Sequence, residues 1–499
     1  MTRSGAGLAL AMLGACGPAE TTLVVELDAD LRVPDELDRL CVTARPDGEL
    51  PIALGYDSRG SDLGESLLPG LPATLAYVDA RDEFDLLVVT ATGTGLGLPA
   101  GNGSGRFTIA DDEEREVKLR VHTCAPVRSV PIGLAGPVGV LPPKEAVRRR
   151  ATLADLDADG RAELIEAPAR VVLLSAGNPV DVTGNFLVAP PLGAAWVIAT
   201  DLDHDCAPDI ALASLSSAMA PLVSAPGDAS PFGVRDVDPG RVTWPAGVGG
   251  ALGAGDLDGT GTTDVFVAAD HAYRLLRATV SNGVATFGDG SSVVTLADDT
   301  PDGVGTSVAI ADLTDDHMLD VVVGHAEVDD FHHSVRVFEG SAETLREIGD
   351  ALVVPDEEGR SVTAVRIGQL DGDDTPDVLV VFGGAGGPAA RLYAHGDDPS
   401  EPRFGLSMAL AGGSGTDATL VDLDGDCDLD VVLAIEGTPS LVYEQTAAGL
   451  AEVPMDLPAA VSVTSGITDL NLDGQSEVVV VFLDGAGGGE LWTASPIVE

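Results

Sequence analysis

Lysine is nearly missing from this chain of 499 residues, with two occurrences, Lys118 and Lys144. Together with arginine they make 27 basic residues against 80 acidic ones, for a formal net charge of −53. Binding to nucleic acid needs clustered cations against phosphate, and this balance excludes it. Adsorption to an anionic membrane face is disfavoured on the same ground. Aromatic residues are 4% of the chain, with three tryptophans, and sugar-binding faces usually need exposed Trp or Tyr. Neither a G-x-S-x-G nucleophile elbow nor an H-E-x-x-H zinc motif occurs. The eight histidines are scattered, and the one adjacent pair, His332-His333, follows Asp329 and Asp330 and reads as a polar turn. A phosphate-cradling role for the Gly93–Gly105 stretch fails because no helix follows it; it reads as a Gly-rich hairpin loop. Helical periodicity is absent throughout, and no run beyond the N-terminus is long and apolar enough to span a bilayer. No enzyme is expected, although paired carboxylates of glycosidase type remain an alternative among so many acids.

The first residues read as a processing segment. Arg3 gives a charged start, Gly5–Met12 an apolar stretch, and Leu13-Gly14-Ala15-Cys16 resembles the bacterial lipobox. That resemblance implies a signal peptide over 1–15, acylation of Cys16 and a lipidated tether over 16–20. Membrane contact would be through this anchor alone, held by more than one acyl chain. The chain is then exported and anchored in the bacterial cell envelope, at the outer membrane or cell surface. Four cysteines remain in an oxidising compartment. Cys41 and Cys124, both at predicted strands of the first domain, are the expected disulfide, closing a loop of about 83 residues worth roughly 4–5 kcal/mol. Cys206 and Cys427 are expected to be unpaired.

Against these absences stands one repeated pattern, D-L-D-x-D-x-x-x-D running into an apolar β-branched strand. Its seven copies begin at Asp155, Asp201, Asp256, Asp312, Gln369, Asp422 and Asp469. A spacing near 50 residues marks a repeat architecture, and four short strands per unit describe a propeller blade. Residues 126–499 are therefore read as a propeller. The last unit is one strand short, and residues near Val127–Val138 are expected to supply it. Residues 21–125 lack the repeat. They carry seven short strand patterns (Thr22–Glu26, Leu40–Thr43, Pro51–Leu54, Ala73–Val78, Phe84–Thr90, Arg106–Ala110 and Glu116–His122), which suggest a small β-sandwich.

Alternating oxygen-bearing side chains within one tight loop suit Ca²⁺, a hard cation that takes six to eight oxygen ligands. Counting from the first residue of each loop, positions 1, 3, 5 and 9 supply side chains and position 7 a carbonyl. Loop one offers Asp155, Asp157, Asp159 and Glu163; loop two Asp201, Asp203, Asp205 and Asp209; loop six Asp422, Asp424, Asp426 and Asp430. Loop seven offers Asp469, Asn471, Asp473 and Glu477. These four are expected to be the strong sites. Loop three has Asp256, Asp258, Thr260 and Asp264, loop four Asp312, Thr314, Asp316 and Asp320, and loop five Asp371, Asp373 and Asp377 with Gln369 at its first position. Fewer carboxylates should leave these three weaker. Position 6 should take a left-handed backbone, which favours glycine. Position 2 is leucine in all seven copies, and a residue so repeated implies a buried contact between neighbouring blades.

The units resemble FG-GAP/VCBS repeats, the blades of the integrin α-subunit head and of many bacterial surface proteins. Phe232-Gly233, Phe287-Gly288 and Phe404-Gly405 fall ahead of acidic loops, where the FG element of that family lies, while the Gly-Ala-Pro element is degenerate. The resemblance implies an all-β chain with a seven-bladed propeller carrying Ca²⁺ in the hairpins that join the first two strands of each blade. That family is functionally mixed. The expectation is a monomeric, calcium-stabilised surface binding or adhesion module whose partner is a protein or a cell-surface glycan. The alternative is an envelope assembly or scaffolding component.

Overall fold

In the computed structural model, residues 21–141 are described as nine separate strand segments. Residues 150–494 are described with interruptions, chiefly 187–194, 223–241, 244–249, 289–293, 296–303, 327–333, 353–359, 397–402 and 471–476. The one helix among the described residues is the single turn Thr183–Phe186. No helix among them is long and apolar enough to cross a membrane.

Each acidic loop joins the first and second strands of a separate sheet, and those two strands are antiparallel in every case. The first strands are Ala151–Ala154, Trp196–Thr200, Ala251–Gly255, Gly305–Ala311, Val362–Gly368, Gly415–Val421 and Ser462–Thr468. Each lies beside the next, and Ser462–Thr468 lies beside Ala151–Ala154, so the first strands close a ring. This is a β-propeller. The second strands are buried on both faces, which is why runs such as Asp-Val-Val-Val show no polar alternation.

The sheets are unequally complete. Five of the seven have four or more strands among the described residues, while those of loops two and three have three each. Seven complete blades are therefore not seen, and the architecture stands as an all-β propeller. The last sheet gains its fourth strand from Leu134–Leu141, antiparallel to Gly489–Ala494. The borrowed strand overlaps the expected Val127–Val138 over residues 134–138 and runs three residues beyond it.

Ahead of the ring, Thr21–Ala29 is flanked by Ala73–Asp79 and, in parallel, by Glu114–Val121. A second sheet runs Ser66–Leu67, Ile52–Asp57, Arg39–Pro46, Phe84–Gly95, Leu98–Ile109. The Gly-rich stretch is not a loop: Thr92 pairs with Asn102 and Gly93 with Gly101, inside a long hairpin. The packed interior that a sandwich requires falls on side chains outside the described residues.

The repeated leucine explains how sheets are joined. All seven are buried, at 4% exposure or less. Leu156 packs with Val197 and Ile210 of the following sheet, and Leu202 with Leu252 and Val265. Leu370 packs with Ala418 and Val431, and Leu470 closes the circle against Leu164 and Val172. Three threonines add a polar clamp that no periodicity announces. Thr306 Oγ1 lies 3.0 Å from the Gly324 carbonyl of its own sheet and 2.6 Å from that of Val362 in the next. Thr363 and Thr416 repeat the arrangement one sheet further on each time. Truncating one seam, Leu370→Ala, should lower unfolding free energy by about 2–5 kcal/mol, as large-to-small core changes do. Urea denaturation reads this directly, and a loss under about 1 kcal/mol would contradict a closed seam at that position.

Candidate metal centres

All seven hairpins share one register. The last residue of the first strand faces position 9 of the loop, from Ala154 opposite Glu163 to Thr468 opposite Glu477. Position 9 is thus the first residue of the second strand, and its carboxylate points back under the turn. In six loops one of its oxygens accepts the backbone N–H of the leucine at position 2, at 2.8–2.9 Å. Position 1 holds the other end of the turn. Asp155 accepts from Asp159 N and Gly160 N, and Asp256 from Thr260 N and Gly261 N, at 2.9–3.0 Å.

The left-handed backbone at position 6 is present at Gly160 and Gly261, and also at Cys206 and His317. A second left-handed site, at position 4, was not anticipated: His204, Gly259, Asp315, Gly372 and Gly425 all have positive φ. The glycines of loops three, five and six, each flanked by acids or their substitutes, were the readable signal for it. At His204 and Cys206 the loop holds a side chain in a region that L-residues rarely adopt.

In four loops the carboxylates converge. One oxygen each from Asp155, Asp157 and Glu163 lie within 4.8 Å of one another, and the same holds for Asp201, Asp203 and Asp209 in loop two. Asp256, Asp258 and Asp264 in loop three, and Asp422, Asp424 and Asp430 in loop six, do likewise. Loop three, expected to be among the weaker sites, is drawn together as closely as loop one. Loops four and five bring no such trio together among the described residues. Asn471 and Asp473 of loop seven and Asp205 of loop two lie outside them. In loop one position 5 is held aside: Asp159 is gripped by Arg161, Nη2 to Oδ2 at 2.7 Å. In loop three Thr260 Oγ1 instead meets Thr262 Oγ1 at 2.9 Å.

Three carboxylates this close repel one another, by roughly 3–4 kcal/mol per pair at an effective dielectric near 20. Burial, then the charges of Asp157 and Asp159, pushes the Asp155 carboxyl up to about 8. Glu163 is raised well above the carboxylate range by burial, then by Asp157 and Asp155. Burial followed by the Asp258 charge takes Asp264 to about 8. Burial takes Asp430 to about 7 although Leu423 and Gln445 donate backbone N–H groups to it. Two oxygens in these trios are buried with no hydrogen-bond partner, Glu163 Oε1 and Asp264 Oδ2. Unsatisfied buried carboxylate oxygens are expensive unless a cation or proton meets them. The donors are hard oxygens throughout loops one, three and six, which fits Ca²⁺ and not a nitrogen- and sulfur-preferring metal.

In loops four, five and six the second oxygen of position 9 has a different duty. Asp320, Asp377 and Asp430 accept from Gly340 N, just past the third strand, and from His395 N and Gln445 N within it, at 2.8, 3.1 and 3.0 Å. A single carboxylate there ties loop, second strand and third strand together, so in loops four and five position 9 serves the fold whatever the loop holds.

No protein-family model matches the chain, and no curated protein matches it. Among solved structures it is similar to a lectin from Agrocybe aegerita that recognises non-reducing terminal N-acetylglucosamine. That pair is 17% identical, with a TM-score of 0.42, over 72% of this chain and 87% of that one. It is similar to BBS1N in complex with ARL6DN (11% identical, TM-score 0.44, 73% of this chain and 96% of that one). It is also similar to the Dos1 propeller (11% identical, TM-score 0.40, 69% of this chain and 79% of that one). Likenesses this distant say nothing about what the loops hold.

The cysteine expectation is corrected. Cys41 is bonded to Cys206, not to Cys124, with Cα atoms 5.3 Å apart across 165 residues of sequence. Cys206 occupies position 6 of loop two, and its N–H donates to Asp201 at 2.9 Å. The outward-turning left-handed position brings the thiol within reach of the Arg39–Pro46 strand, a proximity that strand patterns do not encode. In the chain-entropy treatment so long a loop is worth about 5 kcal/mol. Cys124 and Cys427 lie outside the described residues, as does Cys16.

Proposed function

We propose that the chain is a calcium-stabilised propeller of the FG-GAP/VCBS kind with one blade for each acidic hairpin. It is exported, anchored to the cell envelope through Cys16, and acts as a binding or adhesion module without catalytic activity of its own. The observation that carries the calcium reading is the convergence of buried carboxylates in loops one, two, three and six, with Glu163 Oε1 and Asp264 Oδ2 lacking partners. Side chains at positions 1, 3 and 9 would hold the ion, which supplies the positive charge that the loop lacks. Support for seven blades comes from seven separate hairpin sheets around one ring.

Among the described residues the tryptophans favour a protein partner over a glycan, Trp244 lying outside them. Trp196 packs in the core and its Nε1 donates to the Thr306 carbonyl at 3.0 Å. Trp492 is 9% exposed and donates to Glu490. Neither is available as a stacking platform for sugar. A scaffolding role in envelope assembly is the second reading, and it shares the same ring. Calorimetric titration of the full chain with calcium should count at least four sites; no binding at millimolar calcium would end the calcium reading. A glycan array probed with the same protein separates the partner classes, since strong sugar signals would reverse the preference for protein.

A further inference from the structure

Loop three differs from the other six hairpins in one hydrogen bond. Its position-2 N–H, on Leu257, turns to the Gly255 carbonyl at 3.0 Å, and Asp264 does not receive it. Asp264 Oδ1 accepts from Ala278 N at 2.8 Å, and Oδ2 is left buried and unpartnered. Beside it stands a guanidinium. Arg277 Nε lies 3.5 Å from Asp258 Oδ2, too far for a good hydrogen bond, and that N–H is itself buried without an acceptor. The Arg277 charge acts on Asp264 as well, opposing the upward push from burial and Asp258. From Asp258 the side chain reaches on to the next sheet, where Nη2 donates to the Ala342 carbonyl at 3.1 Å.

Loop one also carries an arginine, whose charge reaches Asp157 and Glu163 but whose contact is with a different carboxylate. Arg161 grips Asp159, which is not one of the three converging carboxylates. Arg277 instead touches Asp258, a member of the trio. It has partly neutralised a site whose position 5 is already the uncharged Thr260.

We propose that Arg277 is the resident counter-cation of loop three: it competes with a divalent cation for Asp258 and lowers that loop's calcium affinity. This rests on the calcium reading above. A guanidinium beside a liganding carboxylate repels an incoming divalent cation: at a separation of ~6 Å the loss is roughly ten-fold in a water-like dielectric and larger at the lower effective dielectric of the loop. Arg277 is 29% exposed on its side chain, so its replacement leaves the cores untouched. In calcium titrations of the full chain, Arg277→Gln should tighten one site by roughly ten-fold or more. Arg277→Lys, which keeps the charge, should tighten it much less. In an Asp258→Asn background, where there is no carboxylate left to compete for, the gain from Arg277→Gln should be clearly smaller. If the wild type binds calcium and Arg277→Gln binds it no more tightly, the inference is overturned. If the wild type binds none, the calcium reading itself has failed and takes this inference with it.

Discussion

Deleting Leu134–Leu141 should abolish cooperative unfolding of the ring. That strand is the fourth of the sheet formed by Ser462–Thr468, Glu477–Leu483 and Gly489–Ala494, and it is the segment through which the start of the propeller holds its end. Without it Gly489–Ala494 becomes an open edge with unpaired backbone groups, a template for association with other chains. Leu141 is 1% exposed and packs with Leu164 and Val172 of the first sheet and with Leu470, Val479 and Leu491 of the last. The fit is close enough that a Cβ at Gly489 would stand 2.9 Å from Leu141 Cδ1. Leu141→Ala alone should remove about 2–5 kcal/mol, and the deletion removes the ladder as well. Circular dichroism against temperature reads both variants. A deletion with an unchanged midpoint would show that the ring closes by other means.

The closure strand also shows where the sequence is informative and where it stops. That the last unit lacked a strand, and that a segment ahead of the first unit should complete it, follows from counting apolar runs around Glu477–Phe482 and Glu490–Thr493. Its position could not be fixed as well, because Leu134–Leu141 is interrupted by Gly136, Pro137 and Gly139 and resembles a linker until its partner is known. The acidic hairpins were legible for the opposite reason. Their spacing, the leucine at position 2 and the acid at position 9 each answer a local demand: a seam, a turn and a strand start. Interactions between distant segments left no such mark. Nothing near Cys41 points to Cys206, and nothing near Arg277 points to Asp258. Counting carboxylates did not show that the three acids of loop three converge as closely as those of loop one, because convergence depends on backbone path as well as composition. The same holds for Asp320 and Asp377, whose second hydrogen bonds depend on where Gly340 and His395 come to lie.

Removing calcium should lower the melting temperature by several degrees or more, and by more at pH 8 than at pH 5. Extracellular-type sites with Kd near 0.1–1 mM each stabilise the fold by about 0.4–1.4 kcal/mol at ~1 mM calcium. Four to seven of them sum to roughly 2–10 kcal/mol, comparable with the net stability of a whole domain. The pH dependence follows from the raised carboxyls. In the metal-free fold Asp155 and Asp264 titrate at about 8 and Asp320 and Asp430 at about 7, against 3.8 for an ordinary aspartate. Between those values the folded chain holds protons that the unfolded chain has released. Stability from these groups is therefore complete below about pH 4 and is lost as pH rises through about 7–8. Bound calcium would replace the protons and remove the loss, so the calcium-loaded melting temperature should be flatter across pH 5–8. The gap between the two curves should widen toward alkaline pH. Differential scanning calorimetry at matched ionic strength, with chelator and with millimolar calcium, measures both curves. Parallel curves, or a gap that narrows as pH rises, would mean that the buried carboxylates of loops one, three and six are neutralised by something other than a bound cation.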